Sequence, residues 1–302
     1  MYLISPWSRG GWVNSQVFDH TSVIRFIEQR FGVMEPNISP WRRAVCGDLC
    51  SAFDFTTHDA SPFLPMLPDP APRAALARQL AATTLPSAPA EPAWPLQAAG
   101  EKRSRALPYL LRVTEEVRFD QQLLELMFIN DGDAGAVFHV YDLCALAAVP
   151  RRYTVEPGKR LAGTWPFAGA AMGYDLWVLG PNGFHRRIAG SAAEAILTGT
   201  PQVRLAYDRA AGTVSLRLLA PASSAFTFRV AANAYGHKGA ALTVAAGGAY
   251  EQTWELAESG YWYDLSVTVA EQPAFKRRFA GRLETGRDSI SDPAMGGVGL
   301  VS

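Results

Sequence analysis

Hydrophobic and polar positions change texture three times along the 302 residues. Near the start, VIRFIEQRF (23–31) sets Val23, Ile27 and Phe31 on one face of a helix. Thr21 or Ser22 is placed to cap its first turn, and Gly32 supplies the stop. Before it, Met1 to Ile4 reads as the tail of a buried strand, and Pro6 to Asn14, with Gly10 and Gly11, as a loop. From 56 to 105 prolines recur among alanines, with one or two helical turns over Ala74 to Ala82. Repeated proline removes backbone donors and favours extended chain, so this stretch predicts a linker arm with no core of its own. From Leu107 onward the runs are short and alternating. Leu123–Ile129, Ala136–Leu143, Tyr174–Leu179, Val203–Tyr207, Val214–Leu219 and Phe226–Ala231 are strand candidates, separated by turn signals such as Gly180-Pro181-Asn182-Gly183. That spacing predicts antiparallel sandwiches.

The strand region repeats itself. Trp165 corresponds to Trp254 and Tyr174-Asp175-Leu176 to Tyr263-Asp264-Leu265, both at an offset of 89 (254 − 165; 264 − 175). Arg186-Arg187 corresponds to Arg277-Arg278 at 91 (277 − 186), which places two extra residues in the last hairpin of the second copy. A period near 90 is too long for a solenoid and suits a small sandwich. The fold class expected is therefore mainly β: two tandem β-sandwich domains, preceded by a short α/β segment and a Pro-rich arm. The boundaries expected are 1–55 for the α/β segment, 56–105 for the arm, 106–198 for the first sandwich and 199–302 for the second with its tail. Trp165 and Trp254 should occupy equivalent buried sites.

Charge and cysteine content narrow the function. Lys and Arg total 28 and Asp and Glu total 28, which argues against a nucleic-acid surface. The three cysteines give no even disulfide framework and no paired zinc pattern. Cys46 and Cys50 could bridge in an oxidising compartment, and two small buried thiols are the plainer reading. No apolar run reaches the ~20 residues needed to span a bilayer. The N-terminus lacks the basic and apolar regions of a signal peptide and suggests a fragment, or a start at an internal Met.

Chemistry-bearing residues are sparse. Asp19-His20 is the one pairing that resembles a catalytic element, since His can shuttle a proton, ligate metal or contact phosphate, and an adjacent Asp can orient it. Taken alone, such a pair before a capped helix is more often structural. His58, His139, His185 and His237 are scattered and read as surface or strand residues. The recurring pairs Arg186-Arg187 and Arg277-Arg278 could touch phosphate, and solvated charges on strand edges, where they discourage edge pairing, are the favoured reading. In Tyr261-Trp262-Tyr263, alternation sets the two tyrosines on one face and Trp262 on the other, and core packing is favoured for Tyr263 and Trp262 over ligand or membrane contact.

SPWSRGGWVNSQVFDHTSVIRFIEQRFGVMEPNISPWRRAVCGDLCSAFDF (5–55) resembles the end of the catalytic domain of bacterial phosphocholine-specific phospholipases C, of the acid-phosphatase-like phosphoesterase family. The resemblance is densest in VFDHTS, EPNISPWRR and GDL-SAFDF. The later repeats resemble the duplicated C-terminal domain of the same enzymes. The resemblance implies an exported enzyme, secreted or periplasmic, that cleaves the phosphodiester of phosphatidylcholine or sphingomyelin. It implies an α/β catalytic domain whose nucleophile and metal ligands lie mostly before Met1, with a divalent metal possible in the complete enzyme. His20 and Asp19 are the catalytic candidates carried by this chain, which alone is expected to be inactive.

Implied partners are phosphocholine-containing phospholipids, a membrane surface contacted peripherally, and the missing catalytic domain. No nucleic acid is expected. The competing reading is a non-enzymatic pair of sandwiches that binds lipid, carbohydrate or a protein partner, or that buttresses a catalytic domain on another chain.

Overall fold

The computed structural model describes residues 1–57, 68–80, 87–91 and 100–295. Helix α1 spans His20–Phe31, α2 Pro40–Val45 and α3 Ala71–Gln79. Then follow β1 (Arg103–Ser104), β2 (Leu111–Arg118), β3 (Leu123–Asn130), β4 (Ala136–Asp142), β5 (Arg151–Val155), β6 (Lys159–Pro166), β7 (Gly173–Leu179), β8 (His185–Ser191) and helix α4 (Ala192–Thr198). The second set is β9 (Gln202–Asp208), β10 (Thr213–Leu219), β11 (Phe226–Ala232), β12 (Ala240–Val244), β13 (Ala249–Glu255), β14 (Trp262–Val269), β15 (Lys276–Arg282) and the short β16 (Ser289–Ile290). The chain is mainly β, as its alternation predicts, and all strand pairings are antiparallel among the described residues.

Each repeat splits its strands between two sheets. The first copy gives a three-stranded sheet β2-β3-β6, and the second gives β13-β10-β9. The remaining strands of both copies form one eight-stranded sheet, ordered β12-β11-β14-β15-β8-β7-β4-β5. Inward-facing residues of each copy form a separate core. Phe128, Phe138 and Trp165 sit in the first, and Phe228, Trp254 and Tyr263 in the second. Trp165 and Trp254 are both buried, at 2% and 6% exposure, and each lies opposite an equivalent residue, Leu124 and Val214. Trp262 and Tyr263 are buried too, so the aromatic triplet is core and not a contact surface.

The expectation of strand-edge arginines is overturned. β8 and β15 pair with each other in the middle of the large sheet, Arg187 facing Arg278. Arg186 and Arg277 are each 2% exposed. Period-2 alternation explains this: Phe184, Arg186 and Ile188 share the inward face, as do Phe275, Arg277 and Phe279. Gly281 in β15 has φ +143, and a Cβ there would lie 3.3 Å from the Cα of Phe184 in the other copy, so the two copies approach closely at this point.

Three local expectations also change. Met1 to Ile4 carry no regular secondary structure, and Met1, Tyr2 and Ile4 are largely exposed, so no strand is present there. The cap of α1 is Asp19, not Thr21 or Ser22. Its carboxylate accepts the Thr21 amide, while Ser22 completes a capping box by accepting the Asp19 amide at 3.1 Å. Gly32 ends α1 in the left-handed region as expected, with φ 68. Helix α3 starts three residues earlier than predicted, because Pro72 suits a first turn where its missing N–H costs nothing. It buries no side chain. Ala82 and His58 lie outside the described residues. Cys46 and Cys50 are unbridged, and burial pushes the Cys50 thiol up to about 11.

Candidate functional site

The N-terminal segment is fastened to the first core by several independent contacts. Val13 bridges Ser104 in parallel, the Val17 amide donates to the Tyr109 hydroxyl at 3.0 Å, and the Gly135 amide donates to the Ala44 carbonyl at 2.7 Å. A Cβ at Gly135 would sit 2.7 Å from that carbonyl oxygen, so this approach requires glycine. Arg105 stacks over the Trp12 ring at 4.1 Å.

Within the segment, EPNISPWRR builds the support for α1. Ser39 caps α2, with Pro40 in its first turn. Arg43, from α2, holds the Glu28 carboxylate of α1 through two hydrogen bonds of 2.9 and 2.8 Å and donates to the Glu35 carbonyl at 2.7 Å. Chiefly because Arg43 donates to it, the Glu28 carboxyl is held down at about 2. In the sequence these clamp residues stand out only as part of the EPNISPWRR motif. The spacing that foretells them is a carboxylate in the third turn of α1 and an arginine pair directly after a Ser-Pro cap.

His20 and Asp19 open onto a cavity of about 870 Å³, walled by Asn14, Gln16, Phe18 and Trp12 and by the chain from Met1 to Ser5. His20 is exposed. The Asp19 oxygens are engaged by the Thr21 amide (2.8 Å), the Thr21 hydroxyl (2.6 Å) and the Arg42 guanidinium. Partial burial opposes ionisation of Asp19, but the Thr21 hydrogen bonds and Arg42 outweigh it and keep the carboxyl below its ordinary range. The carboxylate thus anchors the start of α1.

An exposed imidazole beside an open cavity can move a proton or contact a phosphate oxygen. Ser8, a hydroxyl-bearing wall residue, donates to the Leu3 carbonyl at 3.1 Å. Among the described residues no group of three or more His, Cys, Asp and Glu is arranged to hold a metal. With both oxygens of Asp19 engaged, the residues present do not make a metal shell. The other described histidines stand apart from this cavity. His139 and His185 lie in the large sheet, and His237 contacts the Trp262 carbonyl at 3.2 Å.

The helix face expected from the pattern is real but faces outward. Val23, Ile27 and Phe31 are 40%, 47% and 68% exposed, and Tyr2, Ile4 and Met34 near them are more so. Exposed apolar side chains thus lie on the α1 side of the cavity, which Val23, Tyr2 and Ile4 also line.

Two family models match the chain. Bacterial phospholipase C, C-terminal domain, matches residues 103–191 and again 201–282, and the phosphoesterase family matches residues 1–34. A non-hemolytic phospholipase C of Pseudomonas aeruginosa is 47% identical over 98% of the chain, and one of Burkholderia pseudomallei is 44% identical over 97%. A hemolytic phospholipase C of Pseudomonas aeruginosa is 36% identical over 97%. The chain spans 43%, 42% and 44% of the length of these three relatives. Two matches to the C-terminal domain model, one per repeat, and this level of identity mean that the chain belongs to the bacterial phospholipase C family.

Proposed function

We propose that this chain forms the C-terminal part of a phospholipase C that hydrolyses the phosphodiester of phosphatidylcholine or sphingomyelin, and that it is inactive alone. The observation that carries the reading is the juxtaposition at α1: a segment matched by the phosphoesterase model presents His20 to a cavity beside an uncovered apolar face. In the reaction, water adds to phosphorus and the bond to the lipid alcohol oxygen breaks, leaving phosphocholine and a diacylglycerol or ceramide. The chemistry needs a nucleophile and cations to neutralise charge on the phosphoryl oxygens, and one exposed imidazole supplies neither.

His20 would contact the phosphoryl group or move a proton, and Asp19 would position it through the capped helix start. Residues 106–198 and 199–302 would act as paired scaffold domains, 56–105 as a connecting arm, and the complete enzyme would work outside the cytoplasm at a phospholipid surface. Among the described residues no helix is long and apolar enough to cross a membrane.

The test is release of phosphocholine from phosphatidylcholine vesicles. The isolated chain should give background turnover. The same chain joined to the upstream phosphoesterase region of its relatives should give robust turnover, and His20→Ala should lower it by about 10²–10⁴-fold, the range of one general acid or base. Turnover by the isolated chain that His20→Ala abolishes would overturn the reading.

A further inference from the structure

The two copies meet along a second cleft, of about 680 Å³, between the edge strands β2 and β9 and over the middle of the eight-stranded sheet. Its floor holds Arg186 and Arg277, which occupy equivalent places about a local two-fold relation. Each guanidinium donates to the preceding carbonyl of its own strand and to an alanine carbonyl of the facing strand: Arg186 to His185 (2.7 Å) and Ala280 (2.8 Å), Arg277 to Lys276 (3.0 Å) and Ala189 (2.6 Å). Each also reaches a tyrosine of the other copy, Tyr263 at 3.0 Å and Tyr174 at 3.5 Å. Each stacks on a phenylalanine, Phe184 at 4.1 Å and Phe275 at 4.2 Å.

The relation breaks at one contact. Arg277 is neutralised by Glu115 of β2 at 2.7 Å. In the second copy Leu205 stands where Glu115 does in the first, each opposite an equivalent leucine, Leu216 and Leu126; the β9 residue that reaches Arg186 is instead Tyr207, a neutral phenol, and burial drives its ionisation far out of range. Among the described residues no carboxylate forms an ion pair with Arg186, although the residue is buried. Buried guanidinium groups ordinarily carry a paired anion, because an uncompensated buried charge costs several kcal/mol.

Hydroxyl protons add to the asymmetry. Tyr207 and Tyr263 both accept from Nη2 of Arg186, and their oxygens lie 2.8 Å apart, so one hydroxyl donates to the other. That leaves one phenolic proton for a further acceptor, and Tyr207 lines the cleft. The other cleft charges are already engaged. Arg112 pairs with Asp131 at 2.6 Å, Glu116 with Arg118 at 3.1 Å, and Arg204 donates to Gln202 at 2.7 Å.

We propose that this cleft binds a phosphate group, free or carried on a lipid headgroup, with Tyr207 donating to a phosphate oxygen and Arg186 supplying the compensating charge behind it. The site is built from both copies of the repeat and exists only where β8 and β15 pair. It is independent of His20.

The experiment is titration of the full chain with inorganic phosphate by calorimetry, beside co-sedimentation with phosphatidylcholine vesicles containing phosphatidic acid. Tyr207→Phe keeps the ring and removes the proton; it should weaken phosphate binding by about tenfold, one lost hydrogen bond to a charged group. Gln202→Glu, on the exposed rim, should weaken binding severalfold without touching the core. Binding of free phosphate alone points to a soluble ligand, and vesicle binding competed by phosphate points to a headgroup; either supports the site. No binding by the folded wild-type chain in both arms, or binding unchanged in both variants, would overturn it.

Discussion

Arg187 of the first repeat lies directly opposite Arg278 of the second where β8 pairs with β15. Like charges facing across a ladder ordinarily repel. Here each is held by its own strand neighbour, Arg187 by Asp175 at 3.0 and 2.7 Å and Arg278 by Asp264 at 2.8 and 2.5 Å. The register is symmetric about this pair: Arg277 faces Ile188 as Phe279 faces Arg186, and Lys276 faces Ala189 as Ala280 faces His185. The duplicated domain thus closes on itself as a homodimer would, with a self-complementary edge and no strand left open at the junction.

Asp264→Ala should destabilise the junction by about 2–3 kcal/mol. It frees Arg278 opposite Arg187 and also removes the acceptor of the Asn233 amide at 2.8 Å. The value sits below that for breaking a fully buried pair because the Arg278 side chain is 37% exposed. Urea unfolding with an unchanged m-value checks it, and a loss below about 0.5 kcal/mol would place the aspartate outside the junction's stability.

Trp254→Ala should cost about 3–5 kcal/mol, and Trp165→Ala a similar amount, since each removes a large buried side chain. The Trp254 indole also donates to the Lys238 carbonyl at 2.8 Å, a bond that alanine cannot make. Equilibrium denaturation of the two variants gives both values.

Much of this core was legible from the alternation and the repeat. Trp165, Trp254, Tyr174 and Tyr263 recur at a fixed offset because the same inward sites recur. The fused sheet was not legible, because pairing between the last strands of two copies is a choice of partner, which alternation within a strand does not encode. Arg186 and Arg277 were misplaced for the same reason: charge outweighed position, although each sits between two inward phenylalanine or isoleucine positions. At the N-terminus the helix and its stop were legible. Whether its apolar face is covered was not, since the covering surface is not part of the pattern.

Acid should loosen the junction through His185. Burial, reinforced by Arg278, holds this imidazole down at about 4 against an ordinary 6.5, and its Nε2 has no hydrogen-bond partner among the described residues. The folded state therefore binds the proton less readily than the unfolded chain. The corresponding stability is present above pH 6.5 and is lost as pH falls through about 4, up to about 3 kcal/mol. His185→Phe should flatten the dependence of melting temperature on pH between those values.

Limited proteolysis should cut first within 56–105, where the described residues of α3 are all exposed and carry no core. Early cuts inside 110–280 would contradict a sheet closed across the repeats.

The decisive measurement is hydrogen exchange of the isolated chain, before and after addition of the phosphoesterase region of its relatives. Exchange should be slow in β8 and β15 throughout, and fast in α1 until the added region covers Val23, Ile27 and Phe31 and slows it. Strong protection of residues 23–31 in the isolated chain, unchanged by the added region, would contradict this expectation.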